Sequence, residues 1–70
     1  MSEPIVDLEI QLLLEALYQR YHYDFRHYAK ASLKRRLVQA RDQLGFSTLS
    51  ALQDRVLHDA AFLPRLLDYL

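Results

Sequence analysis

The chain has 70 residues, 51% of them hydrophobic, no cysteine and a formal net charge of zero. That length holds one domain, residues 1–70, around a single small core. The lack of cysteine excludes disulfide staples and thiolate metal sites and agrees with a reducing, cytoplasmic setting. No apolar run reaches the roughly 18 residues of a membrane span, and the acidic start Met1-Ser2-Glu3-Pro4 has neither the basic nor the apolar region of a signal peptide.

The first predicted helix runs from about Pro4 to Tyr21, with Ile5, Leu8, Leu12, Leu13, Ala16, Leu17 and Tyr21 at helical spacing and Ile10 and Leu14 widening the apolar face. Pro4 suits its first turn, where a missing N–H costs nothing. Tyr21-His22-Tyr23-Asp24-Phe25 fits no helical stripe and reads as a connection, with Asp24 as N-cap of the next helix. This second helix is expected from Arg26 or Tyr28 to Leu44, buried through Ala29, Leu33, Leu37, Ala40 and Leu44. Gly45 ends it, Phe46 packs back, and Ser47 caps a third helix to about Leu57 with Leu49, Leu52 and Val56 inward. Pro64 lies too deep for a helix capped by Asp59, so a turn over Asp59–Phe62 and a helix from near Leu63 is the easier path. The chain stops at Asp68-Tyr69-Leu70 without a cap, which reads as a boundary inside a longer protein. No strand, repeat or glycine-rich loop is expected, so the fold class is all-α, a bundle of three to four helices. The expected core is Leu12, Leu13, Leu17, Leu33, Leu37, Leu44, Leu52 and Val56.

The zero net charge hides an asymmetry. Up to Asp24 there are Glu3, Asp7, Glu9, Glu15 and Asp24 against Arg20 alone, about −4. From Phe25 to Arg41 there are Arg26, Lys30, Lys34, Arg35, Arg36 and Arg41 with no acid, about +6. On a helical wheel Lys30, Lys34 and Arg41 fall within about 40° of one another, beside the apolar stripe, as a ridge about 16 Å long. Arg35 falls on the far side and Arg36 on the other flank. Such a ridge suits an acidic helix or a phosphate backbone; a solvated helix face explains the same charges. Tyr18, Tyr21, Tyr23, Phe25 and Tyr28 read as a plug packing the first connection, in preference to a platform for stacking bases. His22, His27 and His58 lack metal-site spacing. Ser32, Ser47 and Ser50 have no histidine–acid partner in reach along the chain, and Glu9, Glu15 and Asp24 can be paired only by the tertiary fold. No catalytic residue is assigned.

The run from Tyr21 to Leu37, with Tyr23, Asp24, Phe25, Tyr28, Ser32, Leu33, Arg35 and Arg36 in order, resembles the N-terminal helical domain of CheR-type chemotaxis receptor methyltransferases. Gly45 followed by Ser47 suits that family's helix junction, and His22 stands where the family often has glycine. The resemblance implies a domain of a protein-glutamate O-methyltransferase that uses S-adenosylmethionine on chemoreceptor helices in chemotaxis signalling. The cofactor would sit in a C-terminal α/β catalytic domain absent from this chain, so the 70 residues alone are expected to be inactive and to bind no cofactor. The resemblance also implies that the basic second helix faces the receptor's acidic methylation helices, making Lys30, Lys34, Arg41, Arg35 and Arg36 the candidate receptor-binding residues. Two other readings stand beside it. One is a nucleic-acid-binding helix–turn–helix over Leu33–Leu57, disfavoured by the acidic first helix. The other is a protein-interaction bundle marked by an exposed apolar patch.

Overall fold

The computed structural model describes residues 4–70. Met1, Ser2 and Glu3, including the Glu3 charge of the acidic segment, lie outside the described residues. The elements are α1 (Pro4–Tyr21), α2 (Lys30–Gln43), α3 (Leu49–His58), a 3-10 turn (Ala60–Phe62) and α4 (Leu63–Leu67). No strand occurs among the described residues, and the all-α bundle expected from periodicity is the observed architecture.

Helix α1 packs mainly on α3 and more lightly on α2. It buries Ile10, Leu13 and Leu17. Helix α3 answers with Leu49, Leu52 and Val56, α2 with Leu33, Leu37 and Ala40, and the C-terminal turn closes the core with Phe62, Leu63 and Leu66. Leu44 is half-buried against this core, and Leu12 is not part of it. Ile5, Leu8 and Leu12 are exposed (73%, 52% and 48%), a correction to the expected core face of α1. The reason is geometric. Apolar residues surround most of α1, and Ile5, Leu8 and Leu12 form a second stripe about 130° round the helix from Leu13 and Leu17. One helix cannot turn both stripes toward α3.

Polar groups of α1 clamp α3 at both ends. The Glu9 carboxylate accepts the Ser50 N–H at 2.9 Å and the Ser50 hydroxyl at 2.5 Å. It thereby joins Thr48, whose hydroxyl accepts the Ala51 N–H at 3.0 Å, in capping the start of α3. The Tyr21 hydroxyl donates to the Val56 carbonyl at 2.6 Å, in the last turn of the same helix.

Three boundaries differ from expectation. The cap of α3 is Thr48, not Ser47. Gly45 (φ 85°) and Phe46 are used in closing α2, by Gly45 N–H to Asp42 carbonyl and Phe46 N–H to Arg41 carbonyl bonds at 3.3 and 2.8 Å. Ser47 is therefore spent on the change of direction. Helix α2 begins at Lys30, later than Arg26 or Tyr28, with Ala29 as an exposed N-cap that makes no side-chain bond. Asp24 does not cap it. Its carboxylate accepts the Arg26 N–H at 2.9 Å, and this local turn competes with helix in the way short acidic side chains do. The path after Asp59 is the expected one. Its carboxylate accepts the Ala61 N–H at 3.1 Å, and Pro64 lies in the first turn of α4.

His22 follows α1 with φ 65°, the left-handed conformation that glycine takes without strain. The reversal brings the Tyr23 N–H back to the Leu17 carbonyl at 3.2 Å, the wide closing bond that ends the helix. His22→Gly is expected to raise stability by about 1 kcal/mol, steric relief exceeding the entropy that glycine adds to the unfolded chain. Urea denaturation checks this, and a loss of stability would contradict it. Leu37, fully buried, is the opposite case: Leu37→Ala should cost about 2–5 kcal/mol, a large part of what so small a domain has. The same denaturation assay reads it.

Candidate functional site

The basic residues expected to act together are dispersed by their partners. Lys34 reaches across to α1, its ammonium 3.0 Å from the Asp7 carboxylate. Arg41 bonds the neighbouring Asp42 at 2.8 Å and is mostly covered. Arg36 turns to the other flank and donates to the Leu70 carbonyl at 2.9 Å, not to an acid of α1. Arg35 is exposed. Lys30, at the first position of α2, is exposed and makes no ion pair with any described residue. Of the ridge, only Lys30 and Lys34 border a common recess; Arg41 does not line it.

That recess is a cleft of about 340 Å³ between α1 and α2, walled by Asp7, Gln11, Lys30, Ala31 and Lys34 with Ile10, Leu14 and Leu33 beneath. A second cleft of about 290 Å³ joins it, lined by Gln11, Leu14, Glu15, Tyr18, Asp24, Phe25 and Arg26. Gln11 and Leu14 belong to both, so the two form one groove along α1. It exists because α1 commits its Leu13–Leu17 face to α3, while α2 begins only at Lys30 and touches α1 lightly. The sequence missed this groove. Asp7, Gln11 and Glu15 share one side of α1 at four-residue spacing, but what they face depends on how α2 packs.

The connection supplies the groove's far end. Phe25 is buried, with the Tyr28 ring against it edge-on at 5.2 Å and the Tyr23 ring stacked at 6.3 Å. The aromatic plug therefore consists of Phe25 and half-buried Tyr21, with Tyr18, Tyr23 and Tyr28 exposed around it. Arg26 lies over the Tyr18 ring at 5.0 Å and pairs with Asp24 through two bonds of 2.9 and 2.7 Å. The Arg26 guanidinium, and then the Arg26 backbone N–H, hold the Asp24 carboxyl far below the usual carboxylate range. The same pairing raises Arg26.

The remaining candidates are scattered. Glu15 accepts from the Gln19 amide at 2.7 Å, and His58 bonds the Asp54 carbonyl at 2.9 Å. Glu9 and Ser50 are joined, but as a helix cap with no histidine beside them. No group of three metal-ligating side chains occurs among the described residues, and no described helix is long and apolar enough to cross a membrane.

Comparison with known proteins agrees with this architecture. The family model for the CheR methyltransferase all-alpha domain matches residues 8–70. A Pseudomonas putida protein, "Putative methyltransferase Cher3", is 54% identical over 69 residues, which is 99% of this chain and 25% of that protein. The chain thus spans about a quarter of the length of the curated relative it matches. No solved structure matches it.

The Asp24–Arg26 pair has a direct check. A carboxyl with a depressed folded-state pKa stabilises the fold above the ordinary carboxylate range and loses that contribution as pH falls from that range through the depressed folded-state value. Carboxyl-carbon NMR should therefore show Asp24 protonating after the other carboxylates, and Arg26→Met should return it to the ordinary range. Unchanged titration in Arg26→Met would remove the pair as the cause.

Proposed function

The chain belongs to the all-alpha domain family of CheR methyltransferases, and we propose that it is the N-terminal recognition and cover domain of an enzyme that methylates chemoreceptor glutamates from S-adenosylmethionine. The proposed setting is the cytoplasm, in chemotaxis signalling. The observation that carries this reading is the cationic side of α2. Lys30 is unpaired and Lys34 faces an apolar recess, and no acid stands in the first turn of α2. Glutamate-bearing receptor helices are complementary to such a surface, which would steer and orient them. Methylation removes the glutamate charge and weakens the attraction, so the surface favours release of product.

The first cleft is lined by Ile10, Leu14 and Leu33 and the second by Leu14, Tyr18 and Phe25, and Gly45, the chain's one glycine, lines neither. S-adenosylmethionine is therefore assigned to a C-terminal catalytic domain of the parent enzyme. Packing against that domain gives a use to exposed Ile5, Leu8 and Leu12. The nucleic-acid reading finds less support. On the exposed side of α3, Arg55 is engaged by Asp59 at 2.9 Å and His58 by Asp54 at 3.1 Å, which leaves little positive charge for phosphate.

The test is receptor methylation by the full-length parent. Neutralising the cations, Lys30→Gln with Lys34→Gln, should raise KM for receptor about fivefold at low salt, as expected for two exposed ion pairs. The effect should shrink at high salt, and kcat and S-adenosylmethionine affinity should hold. Arg41 is left intact because it is tied to Asp42. An unchanged receptor KM in a well-folded variant would remove this surface from recognition.

A further inference from the structure

Two rows of side chains wall the groove. On α1 stand Asp7, Gln11 and Glu15, each four residues from the next; opposite them stand Lys34, Lys30 and Arg26, spaced likewise in reverse. The cations of the outer rungs are paired. Lys34 meets Asp7 at 3.0 Å, while Arg26 meets Asp24 at 2.7 Å and also feels the Glu15 charge. The middle rung has no ion pair, because Lys30 borders the same cleft as Gln11, a neutral amide. The one cation of the groove without an ion-pair partner thus faces the first recess beside Gln11, which lines both recesses.

We propose that this groove is a docking seat for an amphipathic acidic helix, which sets one carboxylate on Lys30 and lowers an apolar side chain into the recess on each side. The proposal deepens the reading of α2 as the partner-facing helix and rests on it for the partner's identity. A helix is the occupant because the groove runs from Asp7 to Tyr18, about 16 Å or three turns, between helices, and because the described residues offer no strand edge to pair with. Apolar side chains three or four residues to either side of a carboxylate reach separate recesses. Charge complementarity selects an acid at the centre: Asp7 and Glu15 would repel acids placed at the ends, whereas Lys30 has no internal partner to displace. Gln11 is then the specificity-determining residue of the seat, since an acid there would complete the rung internally.

The experiment uses this chain, its fold checked by circular dichroism, and a blocked synthetic helix of about fifteen residues with a central glutamate and leucines four residues before and three after. A second peptide carries glutamine in place of the glutamate. Binding is followed by amide NMR shifts. The glutamate peptide should shift Gln11, Leu14, Ala31 and Leu33 and bind about twofold more tightly than the glutamine peptide, the scale of one exposed ion pair. Gln11→Glu, which changes charge without changing shape, should abolish that preference. Ala31→Phe, which fills the first recess from an exposed helix position, should weaken both peptides. Absence of binding, shifts confined to the Ile5–Leu12 face, or an undiminished glutamate preference in Gln11→Glu would each overturn the proposal. So would the same shifts on simple concentration of the chain, which would assign the groove to a second copy. Failure of the functional reading is distinguishable: the parent's receptor KM would then ignore Lys30 and Lys34 while the peptide still bound here.

Discussion

Everything else in this domain depends on α1 capping α3 at both ends. Ten residues make too short a helix to persist alone. Glu9 satisfies an orphan N–H at its start and Tyr21 a carbonyl in its last turn, with Leu13 and Leu17 buried between these two clamps. A carboxylate at a helix N-terminus also meets the positive end of the helix dipole. The two polar contacts set how α3 lies along α1, and the apolar burial supplies most of the stability. Once α1 is engaged in this way, α2 can meet only its flank, and the groove is what remains between them.

The same engagement explains the charges. The chain divides into an acidic first helix and a basic second helix, and folding sets the two against each other. Lys34 finds Asp7 directly. The connection neutralises its own cation, because Asp24 bonds both the backbone and the guanidinium of Arg26. Such exposed pairs add little stability individually. Their effect is to occupy the other two cations of the groove and leave Lys30 without an ion-pair partner. A lysine at the first position of a helix, with no side-chain cap before it, opposes the helix dipole. That local cost is consistent with a residue kept for binding rather than for stability.

Helix α1 carries a second apolar stripe that the domain does not bury. Ile5, Leu8 and Leu12 face away from α3, though Leu12 adjoins the fully buried Leu13 in sequence. A monomer of this size gains nothing from exposing them. The region matched is about a quarter of the curated relative.

Helix number, the end of α1 at Tyr21, the glycine close at Gly45 and the path through Pro64 were all legible in the sequence. Each depends on local chemistry: a periodic stripe, a residue free to take positive φ, a ring that cannot enter a helix interior. The family resemblance was legible for a similar reason, since the motif from Tyr21 to Leu37 is contiguous. The start of α2 was misread because Asp24 has two local options, a helix cap or a turn closed on Arg26, and the turn also gains an ion pair. Only the tertiary structure decided which α1 stripe is buried, because a helix with two apolar stripes has no preferred face until α3 supplies Glu9 and Tyr21 with partners 41 and 35 residues away. The groove results from that choice. Its walls come from Asp7–Glu15 and Arg26–Lys34, and no spacing within either segment shows that they meet.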